Sequence, residues 1–345
     1  MNELEAGDDE KGLLRGRPVE RAIFGTEDVG EIAVVIEEFC RDALGARVQE
    51  RLFARTSVGT VLGLLLDDGR RVVLKAHQPR QSFGFLRAVV ETQTYLAGEG
   101  FPCPRPVIPP APIGNGFATV ETFVEEGDFA DAHQPLIRAA IAKGLARLIE
   151  LTRVLERQPA LRESWSLWDA DGLWPLTAHS PIFDFTATAS GAEWIDELAS
   201  EAMALIPDTA EELIVHRDWS GKHFRFDRDG EVTIVYDWDS LGLSTEERAL
   251  GIAAATFTSN VELDVFHAPS PDEVTAFVED YSAARPTPSF LRFVKRGRAP
   301  WCRFQSRHDP LQRVPQRNQC DRETPRYRHC LAKKATGNKC RYSRP

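Results

Sequence analysis

The alternation of apolar and polar positions is mixed over the first third of this chain and mostly helical after it. Glu31–Leu44 (EIAVVIEEFCRDAL) repeats at helical spacing and stops at Gly45. Two strand-like runs follow, Val61–Leu66 and Arg71–Ala76, joined by Asp67-Asp68-Gly69, a strong hairpin signal. Phe85–Ala97 predicts a helix with Leu86, Val89, Val90, Gln93, Leu96 and Ala97 along one stripe, closed by Gly98, Gly100 and the prolines of FPCPRPVIPP. Phe117–Val124 predicts one more strand, which runs into the acidic segment EEGDFAD.

Beyond that point the period lengthens. Leu136–Leu155 predicts a long amphipathic helix with Ile137, Ile141, Leu145, Leu148 and Leu151 on one side. A tryptophan-bearing loop (Trp165, Trp168, Trp174) separates it from a helix over Ala192–Ile206. Leu213–His216 then leads through a charged loop to a small hairpin, Phe224–Phe226 and Val232–Tyr236, turned by Asp229-Gly230. Ala249–Val261 and Pro271–Ala284 are the last helical patterns, and no internal repeat is present. Residues 1–18 are polar and predict disorder.

Charge sharpens these boundaries. The 345 residues carry a net charge of −10, yet from Arg285 onward there are 17 Lys and Arg against 3 Asp and Glu. Prolines recur in this tail and no apolar period lasts two turns, so it buries too little to offset its ordering entropy. Cys302, Cys320, Cys330 and Cys340 also fall there, without the close pairs that zinc sites need. The abrupt change in charge, cysteine use and periodicity at Arg285 has the look of a shifted reading frame or a foreign terminus. Without an apolar signal segment or a membrane-length run, the expected location is the cytoplasm.

The candidate chemistry lies in a fixed order along the acidic body. Thr56-Ser57-Val58-Gly59-Thr60 precedes the first hairpin, Lys75 sits late on its second strand in VVLK, Asp218 follows His216 by two residues, and Asp237 ends a strand in VYDWD. Asp218 and Asp237 are 19 residues apart, with a hairpin between them. Phosphoryl transfer needs such parts: a lysine on the phosphates, carboxylates on a metal and a base near the accepting hydroxyl.

Over roughly residues 50–265 this order resembles the aminoglycoside phosphotransferase/choline kinase superfamily, small-molecule relatives of protein kinases. The resemblance implies an α+β, protein-kinase-like, two-lobed fold. A β-rich nucleotide-binding lobe would span 19–122, a helical lobe 123–284, and the basic tail 285–345. It implies ATP and Mg²⁺ as cofactors, with Asp218 as catalytic base and His216 bracing the loop. Lys75 would bind the α- and β-phosphates under a turn carrying Ser57 and Gly59. Asp237 would ligate the metal, assisted by Asp239. The backbone from Glu121 to Phe123 would hydrogen-bond adenine, and Glu91 is the helical acid available to pair with Lys75, although it stands off the apolar stripe.

One departure stands in the middle of the motif. The family's loop ends in asparagine five residues after the aspartate; here that residue is His223. Asparagine offers Mg²⁺ a hard oxygen, whereas imidazole suits Mn²⁺ or Zn²⁺. Four readings stay open: a ligand for a softer metal, a donor to the phosphates, an empty second metal position, or a ring packed beside Trp219. An inactive nucleotide-binding pseudokinase is therefore the alternative to an enzyme. The implied partner is a small-molecule acceptor, for which an acidic body favours a cation and the three tryptophans offer a cation–π surface. Nucleic-acid binding through the tail is disfavoured by the acidic body and the lack of a known motif.

Overall fold

The computed structural model describes residues 17–163, 191, 193–203 and 211–286. Two helices open the chain, α1 (Arg17–Phe24) and α2 (Val29–Phe39). The first begins inside the segment expected to lack structure. Asp28 caps α2 by accepting from the Glu31 amide at 2.9 Å, and a π-turn over Cys40–Leu44 closes on Gly45, whose φ of 69° few other residues adopt.

A five-stranded antiparallel sheet follows. It comprises β1 (Val48–Thr56), β2 (Thr60–Leu66), β3 (Arg71–His77), then helix α3 (Phe83–Gly98), β4 (Pro106–Ile113) and β5 (Gly116–Thr122), in the order β1-β2-β3-β5-β4. The central strands obey period-2 alternation, and that alternation positions the chemistry. Leu62, Leu64 and Leu66, Val72, Leu74 and Ala76, and Ala118 and Val120 form one core with Ile32 and Phe39 of α2. The alternate residues, among them Lys75, His77, Thr119 and Glu121, therefore emerge on the other face. There α3 approaches and contributes Phe85, Leu86, Val89 and Leu96 to the core of the helical lobe.

That lobe holds α4 (Pro135–Thr152), α5 (Trp194–Met203), β6 (Glu212–His216), the hairpin β7 (Phe224–Phe226) with β8 (Val232–Val235), β9 (Leu241–Thr245), α6 (Glu246–Thr256) and α7 (Pro271–Ala284). Trp219, Trp238, Phe224, Phe257, Phe277 and Tyr281 are among its largest buried side chains. The pairing of β6 with β9 brings His216 opposite Leu241 and so fixes both ends of the segment that carries the charged loop and the hairpin. Among the described residues no helix is long and apolar enough to cross a membrane. The tryptophan loop at 165–174 and the tail from 287 lie outside the described residues.

His133 ties the start of α4 to α7. Its Nδ1 lies 2.6 Å from Glu273 Oε1 and its Nε2 2.9 Å from the Phe266 carbonyl, so both nitrogens face acceptors and both are best satisfied as N–H. Burial disfavours the cation, but the Phe266 carbonyl and Glu273 carboxylate outweigh it and raise the pKa. A pKa raised in the folded state gives stability that is complete below the unfolded value and lost as pH rises through the folded one. The Tm deficit of His133→Gln should accordingly be larger at pH 6 than at pH 9 in thermal denaturation. A deficit independent of pH would contradict the assignment.

Candidate active site

Residues 216–223 run across the floor between the sheet and the helices, and buried side chains hold nearly every turn of them. His216 is buried and neutral: burial, then His223, push its pKa down to about 4. Its Nε2 donates to the Tyr236 carbonyl at 3.2 Å and its Nδ1 accepts the Asp218 amide at 3.3 Å, a consistent neutral tautomer. Trp219 and Trp238 meet its ring edge-on. Arg217 is buried as well, with its guanidinium on the Leu243 carbonyl of β9 and its amide on Ser240. Gly221 is obligatory, because a Cβ there would stand 2.6 Å from the Phe257 carbonyl at the end of α6.

This scaffold presents Asp218 with every neighbour of its carboxylate defined. Oδ1 accepts from Ser220 Oγ at 2.7 Å, while Oδ2 lies 2.7 Å from Lys222 Nζ and 3.0 Å from His223 Nε2. Burial raises its pKa, yet Lys222 and His223 overcome that and hold it well below the usual carboxylate range. Lys222 went unrecognised in the sequence. It stands four residues after Asp218, in a loop whose one helical piece is the single 3₁₀ turn Gly221–His223, where spacing alone gives no reason to pair them.

Asp237 is the only non-glycine residue with positive φ among the described residues, at φ 69° and ψ 45°. Aspartate tolerates this left-handed conformation better than most residues, and outliers of this kind cluster at functional sites. Its Oδ2 accepts from Ser240 Oγ at 2.8 Å and lies 3.5 Å from His223 Nε2. Against the opposing effect of burial, His223 and then Lys75 lower its pKa to about 2. Ligand atoms of Asp218, His223 and Asp237 all lie within 4.8 Å of one another. His223 thus points at two carboxylates, while Trp219 packs on His216 and Phe224. Two hard oxygens and one borderline nitrogen suit a divalent cation when the imidazole offers the lone pair of Nε2.

Lys75 enters from the sheet. Its Nζ lies 3.2 Å from Glu121 Oε1 and 3.6 Å from Asp239 Oδ1. Burial opposes its charge, but Glu121 and Asp239 raise its pKa. Asp239 Oδ2 is also 4.0 Å from His77 Nδ1, and His77 Nε2 meets Thr119 Oγ1 at 3.0 Å. The expected Lys75–Glu91 pair does not form. Glu91 is exposed on the outer face of α3, 3.5 Å from Arg87 one turn earlier. The backbone expected to meet adenine lies in the same region, and two of its amides have partners here. The Thr122 and Phe123 amides are spent on the Arg105 and Arg71 carbonyls, Arg71 stacks 4.2 Å over the Phe123 ring, and the Glu121 side chain serves Lys75.

Ser57 and Gly59 form the turn of the β1–β2 hairpin, closed by Ser57 N–H donating to the Gly59 carbonyl at 3.0 Å. They do not precede the first hairpin, because β1 was not foreseen. A Cβ at Gly59 would lie 2.8 Å from the Ala76 carbonyl, so only glycine lets the turn fold down beside Lys75. Arg55, just before the turn, reaches Glu262 beyond α6 at 2.9 Å, an ion pair between the β1–β2 turn and the segment after α6.

Comparison with known proteins bears on the fold and the family. Among solved structures, an ethanolamine kinase from Plasmodium vivax superimposes with a TM-score of 0.53 at 12% identity, covering 88% of this chain and 89% of that one. Amicoumacin kinase hAmiN, in complex with AMP-PNP, Ca²⁺ and Ami, gives 0.50 at 14% identity, covering 83% and 86%. Both likenesses are of fold: a protein-kinase-like, two-lobed α+β architecture. A search of curated proteins gives no match. The model of the phosphotransferase enzyme family matches residues 64–294, from β2 to beyond α7 and more than half of the chain. The chain belongs to the phosphotransferase enzyme family.

Proposed function

We propose that the protein is an ATP-dependent O-phosphotransferase that phosphorylates a hydroxyl of a small molecule. The observation that carries this reading is the convergence of Asp218, His223 and Asp237 on one point, beneath a lysine held on the facing sheet. Asp218 is the base: it is ionised, and its oxygens are fixed by Ser220 and Lys222 at the position an acceptor hydroxyl must reach. Lys75 meets the α- and β-phosphates under the Ser57–Gly59 turn, and His216 braces the loop from below. Asp237 and His223 would hold the divalent cation, with Asp239 close by on Lys75. When bound, that cation neutralises charge on the phosphates during transfer. Lys222 neutralises Asp218 in the resting enzyme and adds a positive charge beside the transferred group.

An acceptor panel of aminoglycosides, choline, ethanolamine and sugars, assayed for ADP release with Mg²⁺ and with Mn²⁺, tests the proposal. Turnover of any member supports it, and the acidic body favours cationic ones. ATP binding without turnover in either metal would select the pseudokinase reading, which the histidine at position 223 keeps alive. The role of that histidine has its own test. The imidazole predicts a Mn²⁺ preference, and His223→Asn should shift the ratio of Mn²⁺- to Mg²⁺-supported kcat toward Mg²⁺ by about tenfold. An unchanged ratio would show that His223 does not touch the cation.

A further inference from the structure

We propose that Glu121 is the positioning residue for Lys75, and that Gln93 of α3 holds Glu121 in turn. The lysine's acidic partner then comes from the neighbouring strand and not from the helix. This rests on the phosphotransferase reading above. While one oxygen of Glu121 faces Lys75 Nζ, the other accepts from Gln93 Nε2 at 3.0 Å. The second N–H of Gln93 Nε2 goes to the Pro104 carbonyl at 2.8 Å. Both acceptors face the same nitrogen, so a flipped amide would set oxygen against oxygen and only one orientation is satisfied. Lys75, Glu121 and Gln93 are all buried, at 8%, 6% and 3% exposure, so water cannot substitute for any of these contacts.

The placement has a mechanical meaning. On adjacent strands β3 and β5, Lys75 lies opposite Thr119 and Val73 opposite Glu121, which makes Lys75–Glu121 a diagonal pair on one sheet face. Ladder hydrogen bonds on either side of it fix the distance between the strands. A lysine–carboxylate pair that spans helix and sheet opens whenever the helix moves, whereas this one is closed within the sheet. The one acid of α3, Glu91, faces solvent, and the helix contributes a neutral amide at Gln93 that orients Glu121 without competing for Lys75. Movement of α3 would therefore leave the Lys75–Glu121 pair closed within the sheet and disturb only the orientation that Gln93 imposes on Glu121.

ATP affinity, measured by calorimetry on the full chain with Mn²⁺ present, tests this without an acceptor. Lys75→Ala and Glu121→Gln should each raise the ATP Kd by about tenfold. Adding Glu121→Gln to Lys75→Ala should raise it no further, because a residue that acts only through another loses its effect once that other is gone. Gln93→Leu, which removes the donor and leaves the carboxylate of Glu121, should raise the Kd by about threefold in the wild-type background and leave it unchanged in Lys75→Ala, and it decides the matter if Glu121→Gln alone is too unstable to assay. Glu91→Gln should bind as wild type does. The assignment is overturned if Glu121→Gln stays within about twofold of wild type, if its loss persists in the Lys75→Ala background, or if Gln93→Leu weakens binding as much in that background as in the wild type. A wild-type chain that binds no ATP overturns the phosphotransferase reading itself, and the positioning role with it.

Discussion

Asp218→Asn should lower kcat by about a thousandfold while leaving the KM for ATP within about threefold of wild type. The substitution keeps the shape of the side chain and an acceptor for Ser220 Oγ, so the loop stays where His216 and Arg217 hold it. What it removes is the proposed base. The carboxylate is buried, which alone would favour its neutral form, yet Lys222 at 2.7 Å and His223 at 3.0 Å keep it ionised. An amide in its place cannot take a proton from an attacking hydroxyl. Steady-state ADP release on the best acceptor of the panel measures the effect. A kcat within tenfold of wild type would remove Asp218 from the base role.

The second large effect concerns the cation. Asp237→Asn should raise the metal concentration needed for half-maximal turnover by about a hundredfold, with Tm nearly unchanged. Asparagine is the informative choice because, like aspartate, it tolerates the left-handed backbone that position 237 adopts. Asp237→Ala would mix loss of a ligand with backbone strain, since an alanine forced to positive φ destabilises on its own account. Titrating Mn²⁺ and Mg²⁺ against activity in the asparagine variant separates the two. A half-maximal concentration equal to wild type would show that Asp237 holds no metal.

Much of this architecture is legible in the chain, and its gaps have physical causes. The central strands β2, β3 and β5 alternate cleanly because one face builds a core, so the residues on the other face, Lys75 among them, could be placed from the pattern. The missed strands β1 and β4 are the two edges of the sheet. With little buried on either side, β1 reads as charged and irregular. The four prolines of β4 imitate a loop, although an edge strand tolerates them because it need not donate outward. The short motifs around Asp218 and Asp237 were visible because they end strands abruptly. The partner of Lys75 was misplaced for a different reason. Helical period says which residues face inward but not which charge they meet, and Glu91 was the only acid in the helix. The useful signal was Gln93, a polar residue on an otherwise apolar stripe, since a buried amide demands a partner. Lys222 gave no such signal.

The Arg55–Glu262 contact bears on how molecules reach the cleft. It joins residues 207 positions apart, but Arg55 is 69% exposed, and an ion pair so wetted contributes at most about 1 kcal/mol. That amounts to roughly a fivefold bias toward the shut arrangement at low ionic strength, and it fades as added salt screens the pair. The glycine turn of the β1–β2 hairpin is thus fastened by a latch weak enough for thermal motion to lift. Nucleotide exchange should quicken with ionic strength in the native chain and lose that dependence when either charge is removed.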